Sequence, residues 1–380
     1  MRLGTWMPFG QAAAALAWFC GAPVGRETAR RLTGAAGAAL VALEDAEADR
    51  LAAERPAPPA GPRVLQLSLD GAMAPLVRGE WAEAKLLAVG EVLAARDAAG
   101  APVVRAVGVS YCARLADAEA FGRAVLPEAH RRGVETAGTA AAVNDGAEWE
   151  QGVVDLLRPD AVRILDFPHG AEHLNTAAQA CFGEGSPAAV AWLDQQAAEL
   201  KDGDPDAVLR ALGVLPVGRA PDPAAAARAR DETLGYLSKR RAQISYAQFR
   251  RQGLPIGSGM VESGHKTVVQ ARLKGAGMHW ARASINPMLA LRCAVCNDRW
   301  DELWPRIAHR LRGGPARRPA RARRPPGLSA HQASRPRRAP RPPRLRVAPM
   351  PAADRPKKVV AGHNTAHHPW SYAAHHRAKS

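Results

Sequence analysis

The segment Val64-Leu-Gln-Leu-Ser-Leu-Asp70-Gly71 decides how the chain is interpreted. Its apolar run has the length of a strand and ends at an Asp-Gly pair, which predicts a buried strand followed by an acid. The pattern recurs at Thr139–Asn144, a short apolar strand followed by Asp145 and another glycine. Acids at the carboxyl ends of strands lie at the sheet edge where sites form in α/β folds. The two matching ends predict that Asp70 and Asp145 lie close together.

Strands and helices alternate around these two segments. Further strands are predicted around 85–89, 103–112 and 161–165, and helices over 116–132 and 147–157. The order β-β-β-α-β-α-β with short connections predicts an α/β fold.

The start of the chain is predicted to be helical. An apolar helix over 9–20 is broken by Gly21-Ala22-Pro23, and a second helix follows over 25–44. Two helices around such a turn suit a helix-turn-helix or an ordinary helical hairpin. If the segment binds DNA, the basic residues that contact the phosphates or bases are Arg26, Arg30 and Arg31.

Composition marks the boundaries of the other regions. The Pro-rich stretch 56–63 predicts a stiff linker. A mainly helical region separates the last strand from a Gly-rich turn and a long helix. The predicted regions are a helical segment (1–55), the linker (56–63), the first part of the α/β core (64–173), a helical insertion (174–250), the final core helix (251–304) and a tail (305–380).

Charge is distributed unevenly along the chain. The 380 residues carry a formal net charge of +16, but residues 305–380 contain 19 Lys and Arg and one acid. The preceding residues therefore have nearly balanced charge, so the net charge is weak evidence that the folded part binds nucleic acid. The Arg- and Pro-rich tail is predicted to be disordered. It either binds phosphate backbones non-specifically or reflects GC-rich coding sequence.

The apolar runs and the cysteines indicate in which cellular compartment the protein is found. No stretch of about 18 uncharged apolar residues occurs, which argues against a membrane span. The start lacks the pattern of a signal peptide. Five scattered cysteines argue against a disulfide framework and for a reducing compartment. We expect a cytoplasmic protein that does not interact with membranes.

A third acid, Glu262, follows a Gly-Ser-Gly turn near the start of a predicted helix. Close carboxylates repel each other, and a divalent cation such as Mg²⁺ removes that conflict through oxygen ligands. Two such ions about 3.5–4 Å apart can act on a phosphate group. Three acids that converge from different elements therefore point to metal-dependent phosphoryl transfer, whereas a single Asp-Gly pair is an ordinary turn signal.

Basic residues follow Glu262 along the predicted helix. If Glu262 holds a metal, they line the path of a DNA backbone. Otherwise Lys266, four residues after Glu262, forms a surface ion pair with it. The basic residues are His265, Lys266, Arg272 and Lys274.

A second polar group is Asp166-Phe-Pro-His169-Gly-Ala-Glu172-His173. Its two histidines are spaced i,i+4 on one helical face, which can bind zinc. A supporting hydrogen-bond cluster or a contact to nucleic acid also suits this group.

Four motifs in this order resemble those of the DDE transposases of ISKra-type bacterial insertion sequences, which are Mutator-like. They are Leu-Ser-Leu-Asp70-Gly, Asn144-Asp145-Gly-Ala-Glu-Trp149, Ile164-Leu-Asp-Phe-Pro-His169-Gly-Ala-Glu-His173-Leu and Ile256-Gly-Ser-Gly-Met-Val-Glu262-Ser-Gly-His-Lys266. The segment Arg272-Leu-Lys-Gly-Ala-Gly-Met-His-Trp280 is also similar. The resemblance spans roughly residues 10–305.

The resemblance implies an RNase H-like core with a helical insertion, which 174–250 would fill. It implies a catalytic and metal-binding triad with Asp70 first and Glu262 last. The second aspartate is Asp145 or Asp166, and we choose Asp145 because the second acid follows the fourth strand in such a core. Asp166 and His169 then fit an Asp-x-x-His motif that Mutator-like relatives carry downstream.

The implied activity is cleavage of DNA at the element ends and transfer of the strand into target DNA. It implies Mg²⁺ or Mn²⁺, with two ions, as the cofactor. The implied partners are the terminal inverted repeats, target DNA and further copies of the chain in a synaptic complex. The tail matches nothing that the family implies, which leaves open a truncated or frame-altered copy. A decayed or repurposed DNA-binding protein and an RNase H-like nuclease are the alternatives.

Overall fold

A computed structural model of the chain describes residues 1–313 except 97, 99, 101 and 219. The strands are β1 (Val64–Pro75), β2 (Trp81–Arg96), β3 (Pro102–Arg114), β4 (Thr139–Asn144) and β5 (Val162–Leu165). The helices are α1 (Arg2–Trp6), α2 (Phe9–Cys20), α3 (Arg26–Glu54), α4 (Ala118–Arg131), α5 (Glu148–Leu157), α6 (Phe167–Phe182), α7 (Pro187–Asp202), α8 (Pro205–Gly213), α9 (Pro223–Lys239), α10 (Tyr246–Arg251), α11 (Gly259–Gly264), α12 (Ala271–Leu273), α13 (Arg282–Cys296) and α14 (Trp300–Gly313).

The strands form one mixed sheet in the order β3-β2-β1-β4-β5. β1, β2 and β3 pair antiparallel, whereas β4 and β5 run parallel to β1. Helices α4 and α5 connect the strands of the second half, as parallel strands require a crossover. The predicted α/β class and the order of its elements are confirmed.

β1 is longer than predicted. It runs through Asp70 and Gly71 to Pro75, so the first Asp-Gly pair lies inside a strand rather than at its end. Gly71 pairs with Lys85 of β2, and a Cβ atom at Gly71 would lie 2.2 Å from Glu83 Oε1. Close approach of a neighbouring side chain, rather than a turn, accounts for this glycine.

The two faces of the sheet pack against different helices because strand side chains alternate. One face packs on α4 and α5, and the other packs on α11 to α13 and on the insertion. Examples on the first face are Leu65, Leu67, Leu69, Ala140 and Ala142. Examples on the second are Ala72, Ala74 and Leu86 against the late helices, and Ala141 and Val143 against the insertion.

The predicted helical insertion is built by α6 to α10, with a 3₁₀ turn at Arg241–Ile244. Its first helix begins at Phe167, directly after β5, so the helical region starts earlier than residue 174. Tyr246 is buried in the insertion core, and its hydroxyl donates a hydrogen bond to the Leu165 carbonyl of β5 at 2.9 Å. The insertion is therefore joined to the sheet at the end of β5.

The first helices pack on the core. α3 extends to Glu54, ten residues beyond the predicted end, and buries a stripe of small residues against α13. A Cβ atom at Gly37 would lie 2.1 Å from the Pro287 carbonyl oxygen, so the two helices approach closely. The described residues form one compact unit, so the helical segment and the stretch 56–63 are part of it.

The predicted disorder from residue 305 is wrong for its first nine residues, which belong to α14. The reason is burial: Leu303 and Ile307, one helical turn apart, pack beside Leu40 of α3. The rest of the predicted tail, 314–380, lies outside the described residues. In the described ranges, no helix combines the length and the apolar character that spanning a membrane requires.

The helix that carries Glu262 has an irregular middle. α11 continues into a π-helical segment, His265–Gln270, and then into α12. The predicted final core helix is thus divided: residues 274–281 separate this helix from α13. π-Helical turns are rare and occur frequently at functional sites.

Candidate active site

The register between β1 and β4 brings two of the predicted acids together. Leu67 pairs with Ala142, so Asp70 and Asp145 stand at matching positions three residues further on. β4 ends at Asn144, whose side-chain oxygen accepts a hydrogen bond from the Leu69 amide at 2.8 Å. Asp145 therefore leaves the ladder beside β1, and the predicted proximity of the two aspartates is confirmed.

A third carboxylate completes this group, and it is Glu150 of α5. One carboxylate oxygen from each of Asp70, Asp145 and Glu150 lies within 4.8 Å of the others. Asp70 and Asp145 are half-buried and Glu150 is buried. We call these three residues the acid cluster.

Glu150 lies in the first turn of α5. Its Oε2 accepts hydrogen bonds from the Gly146 and Ala147 amides, each at 3.2 Å. Burial, a hydrogen bond with Asp145 and the charges of Asp145 and Asp70 raise the pKa of Glu150 to about 10. In the absence of a cation, the cluster therefore holds a proton on Glu150 at neutral pH.

Glu262 is exposed on α11 and is not a member of the acid cluster. The same helix does reach the cluster one turn later. His265 is buried, and its Nε2 lies 3.1 Å from Asp70 Oδ2. Neither ring nitrogen has a well-aligned hydrogen-bond partner among the described residues. The helix of Glu262 thus lies against the edge that Asp70 and Asp145 occupy.

Asp166 has a different environment. It caps α6, where its Oδ2 accepts a hydrogen bond from the His169 amide at 3.2 Å. Its Oδ1 accepts a hydrogen bond from the Ser258 amide at 2.7 Å, just before α11. Burial raises the pKa of Asp166. Both oxygens are used to join the start of α6 to the start of α11.

The two histidines of the Asp-x-x-His region stack with a residue of the insertion. The rings of His169 and His173 are 4.9 Å apart, and His173 stacks on Tyr236 at 3.9 Å. Arg240 covers the Tyr236 ring at 3.8 Å. The Tyr236 hydroxyl donates a hydrogen bond to the Asp145 carbonyl. This stack supports the loop of Asp145 and shares no residue with the acid cluster.

The predicted DNA contacts have different exposures. Lys266 and Lys274 are exposed beside the helix of Glu262. Arg272 is only 2% exposed, because its guanidinium packs between Phe9 and Trp280 at about 4.7 and 4.8 Å and Nε donates to the Gly4 carbonyl. A buried guanidinium cannot contact a DNA backbone directly, so the expectation for Arg272 is wrong.

The predicted DNA contacts at the start of α3 are exposed, as a contact to DNA requires. The three residues are solvent-exposed, and Arg30 forms an ion pair with Glu27 at 2.5 Å. They are Arg26, Arg30 and Arg31.

The acid cluster has the donor chemistry of a site for a hard divalent cation. It offers carboxylate oxygens from two neighbouring strands and the following helix, and carboxylates are the ligands that Mg²⁺ and Mn²⁺ prefer. Burial and the negative charges of Asp145 and Asp70 raise the pKa of Glu150, and a cation would offset both effects. The residues present fit such an ion.

Two residues of this region were not predicted from the sequence. Glu150 sits five residues after Asp145 at the third position of a helix, which reads as a capping residue. Tyr236 lies far along the chain in an Ala-rich helix, and nothing in its neighbourhood marks it. Glu150 had a usable signal in its spacing from Asp145, whereas Tyr236 had none.

Comparison with known proteins found no match for this chain among family models and none among curated proteins.

Proposed function

We propose that the chain is a DDE-type DNA transposase with an RNase H-like core, which cuts DNA at the ends of its element and joins the strand to target DNA. The observation that carries this proposal is the adjacency of Asp70 and Asp145 on neighbouring parallel strands. The strand order β3-β2-β1-β4-β5 is compatible with such a core. The insertion between β5 and the helix of Glu262 suits the same family.

The acids of the site have separate tasks in this proposal. Asp70 and Asp145 hold Mg²⁺ or Mn²⁺ together with a third acid, which is Glu262 or Glu150. When bound, such a cation neutralises charge on the phosphate and activates the attacking oxygen. Asp166 fixes the start of α11 through the Ser258 amide. The distance from Glu262 to the cluster is then set by α11.

The exposed basic residues bind the DNA backbone in this proposal. Lys266 and Lys274 follow the helix that leaves the site, and their charges match phosphates spaced along a strand. Arg26, Arg30 and Arg31 supply further contacts from α3. Because synapsis joins two DNA ends, the active form contains more than one copy of the chain.

A metal-dependent nuclease that lacks strand transfer is the second candidate. It is favoured by one observation: the cluster closes with Glu150, and Glu262 stands outside it. A nuclease of this kind needs only the acids of the cluster and a single-step cut.

The test is cleavage and joining of labelled DNA that carries the sequences flanking the gene, with Mg²⁺ or Mn²⁺. We expect both reactions for the wild type and neither for Asp70→Asn. Glu262→Gln and Glu150→Gln identify the third acid, because only the substitution of the true metal ligand abolishes both cleavage and joining. Cleavage without joining favours the nuclease, and binding without cleavage refutes both enzymes and favours a DNA-binding protein.

A further inference from the structure

A cavity of about 670 Å³ lies between the first helices and the segment before α13. Pockets of about 300–1,000 Å³ are typical of sites for small organic groups. Its walls are mainly apolar and aromatic, with basic residues among them. They include Phe9, Arg26, Gly34, Arg272, Met278 and Trp280.

The protein around this cavity contains two buried positive charges. Arg272 and Arg292 are 2% and 1% exposed, and neither forms an ion pair with a carboxylate of the described residues. Backbone carbonyls hold them instead: Arg272 Nε donates to Gly4 at 2.9 Å, and Arg292 Nη1 donates to Thr5 at 3.1 Å. Buried charges are normally paired. Arg272 lines the cavity whereas Arg292 lies behind it, so the positive charge of Arg272 stands beneath the cavity wall without a neighbouring carboxylate.

Exposed basic residues also line the cavity. Arg26 and Arg30 lie near the start of α3, and Arg30 forms an ion pair with Glu27. Arg26 and Arg272 therefore leave positive charge at the rim and beneath the wall of the cavity. An apolar wall with a positive surround suits a group that is flat and apolar on one part and anionic on another, which describes a nucleotide.

The cavity is attached to the elements that carry the acid cluster. Trp280 pairs with the end of β1: its amide donates to the Pro75 carbonyl at 3.1 Å, and its carbonyl accepts from the Val77 amide at 3.0 Å. His265, next to Asp70, and Arg272, on the cavity wall, are seven residues apart on one helix. At about 1.5 Å per residue, they are separated by about 10 Å.

We propose that this cavity binds one unstacked nucleotide of the DNA strand that lies at the acid cluster. This inference rests on the proposed function. The base lies against the apolar wall, and the adjacent phosphate faces Arg26 and Arg30. The unstacked nucleotide lies on the same strand as the reacting phosphate, because one helix joins the cavity wall at Arg272 to the acid cluster at His265.

Gly34 offers a clean way to close the cavity. It lies on α3 at the cavity wall, and a Cβ atom there meets no other atom within 4 Å. Gly34→Leu therefore directs a side chain into the cavity from a position that accommodates a Cβ atom, and it removes a helix-weakening glycine. Gly34→Ala gives the helical benefit without filling the cavity. Ala35→Leu adds the same side chain to an exposed position of the same helix.

The experiment is photo-crosslinking of the full chain to a frayed DNA duplex that carries iodouracil at each strand position in turn. Ca²⁺ replaces Mg²⁺, so that the DNA stays intact. We expect one position to crosslink to Phe9, Met278 or Trp280, as located by mass spectrometry. Gly34→Leu should lower that yield about tenfold, the contribution of one stacked base, whereas Gly34→Ala and Ala35→Leu leave it unchanged.

Thermal denaturation of each variant verifies that it is folded. Equal yields for Gly34→Leu and the wild type, or crosslinks that map elsewhere, overturn the inference. If free deoxynucleotides suppress the crosslink at the same concentration as unlabelled DNA does, the assignment to a DNA strand is overturned. A cavity crosslink in a chain that never cleaves DNA refutes the proposed enzyme and leaves the cavity assignment standing. Cleavage of DNA without the cavity crosslink supports the proposed enzyme and refutes the cavity assignment.

Discussion

Asp145 and Asp166 follow neighbouring parallel strands, yet their surroundings are opposite. Asp145 Oδ1 accepts a hydrogen bond from the Ala147 amide at 2.9 Å, and its carboxylate also faces two other acids, Asp70 and Glu150. Asp166 faces two backbone amides and uses both oxygens for them. The same residue type at the same kind of strand end thus belongs to an acid cluster in one place and to a backbone junction in the other. What differs is that the segment after Asp145 supplies a further carboxylate as well as N–H groups.

The largest expected contrast is in activity. Asp145→Asn should lower metal-dependent DNA cleavage about a thousandfold, because it removes a charged ligand of the proposed cation. Asp166→Asn keeps one acceptor oxygen and should lower it less than about tenfold. Asp155→Asn, an exposed aspartate of α5, is the control. Initial cleavage rates measure the effect, and a larger loss for Asp166→Asn would show that it is the second acid of the triad.

Stability should show the reverse contrast. Asp166→Ala leaves the Ser258 and His169 amides without their acceptor, which costs about 3 kcal/mol of unfolding free energy. Asp145→Ala removes hydrogen bonds with Glu150 and the Ala147 amide but relieves repulsion among close acids, and Glu150 still accepts from that amide. It should therefore change the free energy of unfolding by less than about 1 kcal/mol. Urea denaturation in the absence of metal measures both values. Equal losses would mean that the two aspartates are equally structural.

The acid surroundings of Asp145 should also make stability depend on pH. The pKa of Glu150 rises from 4.5 to about 10 on folding. A raised folded-state pKa stabilises the protein below the unfolded-state pKa, and the contribution is lost as pH rises through about 10. Without metal, the Tm of the wild type should fall relative to that of Glu150→Gln as the pH increases above 4.5. Parallel Tm profiles would contradict the shared proton.

The smallest expected effects concern two tyrosines of the insertion. Each donates a hydrogen bond to a carbonyl near one aspartate: Tyr236 to that of Asp145 itself, and Tyr246 to that of Leu165, just before Asp166. Each Phe variant should lose about 1 kcal/mol of stability. Tyr236→Phe should in addition slow cleavage a few-fold, whereas Tyr246→Phe should leave its rate unchanged. Equal cleavage rates would show that Tyr236 does not position Asp145.

Local patterns predicted much of this architecture. β4 was predicted over Thr139–Asn144 and α2 over Phe9–Cys20, as observed, because apolar runs with Asp-Gly or Gly-Pro ends leave little freedom. The proximity of Asp70 and Asp145 followed from strand order alone. β1 was predicted too short because a glycine required by the Glu83 contact has the same signature as a turn.

Long-range contacts account for what local patterns missed. The exposure of Arg272 was predicted from its basic neighbours, but its burial depends on Phe9 and Trp280, which lie on other elements. The helical start of the predicted tail depends on the apolar surface that α3 offers to Ile307. Such tertiary contacts leave no periodic trace in the sequence. Glu150 differs, because it reaches the acids through local contacts between the first turn of α5 and the loop of Asp145, and its spacing from Asp145 was a usable signal.

The π-helical turn at His265–Gln270 gives the helix one residue more than a regular α-helix would need over the same length. Because the wide turn takes up this residue, the segments before and after it keep nearly the relative orientation of a regular helix that is one residue shorter. Deleting a single residue there would restore regular winding and leave Glu262 and Arg272 in nearly their present relative orientation. One residue inserted into a regular part of the same helix would instead rotate its two ends by about 100°. The π turn thus adds a side chain to this helix without turning its acidic end relative to its cationic end.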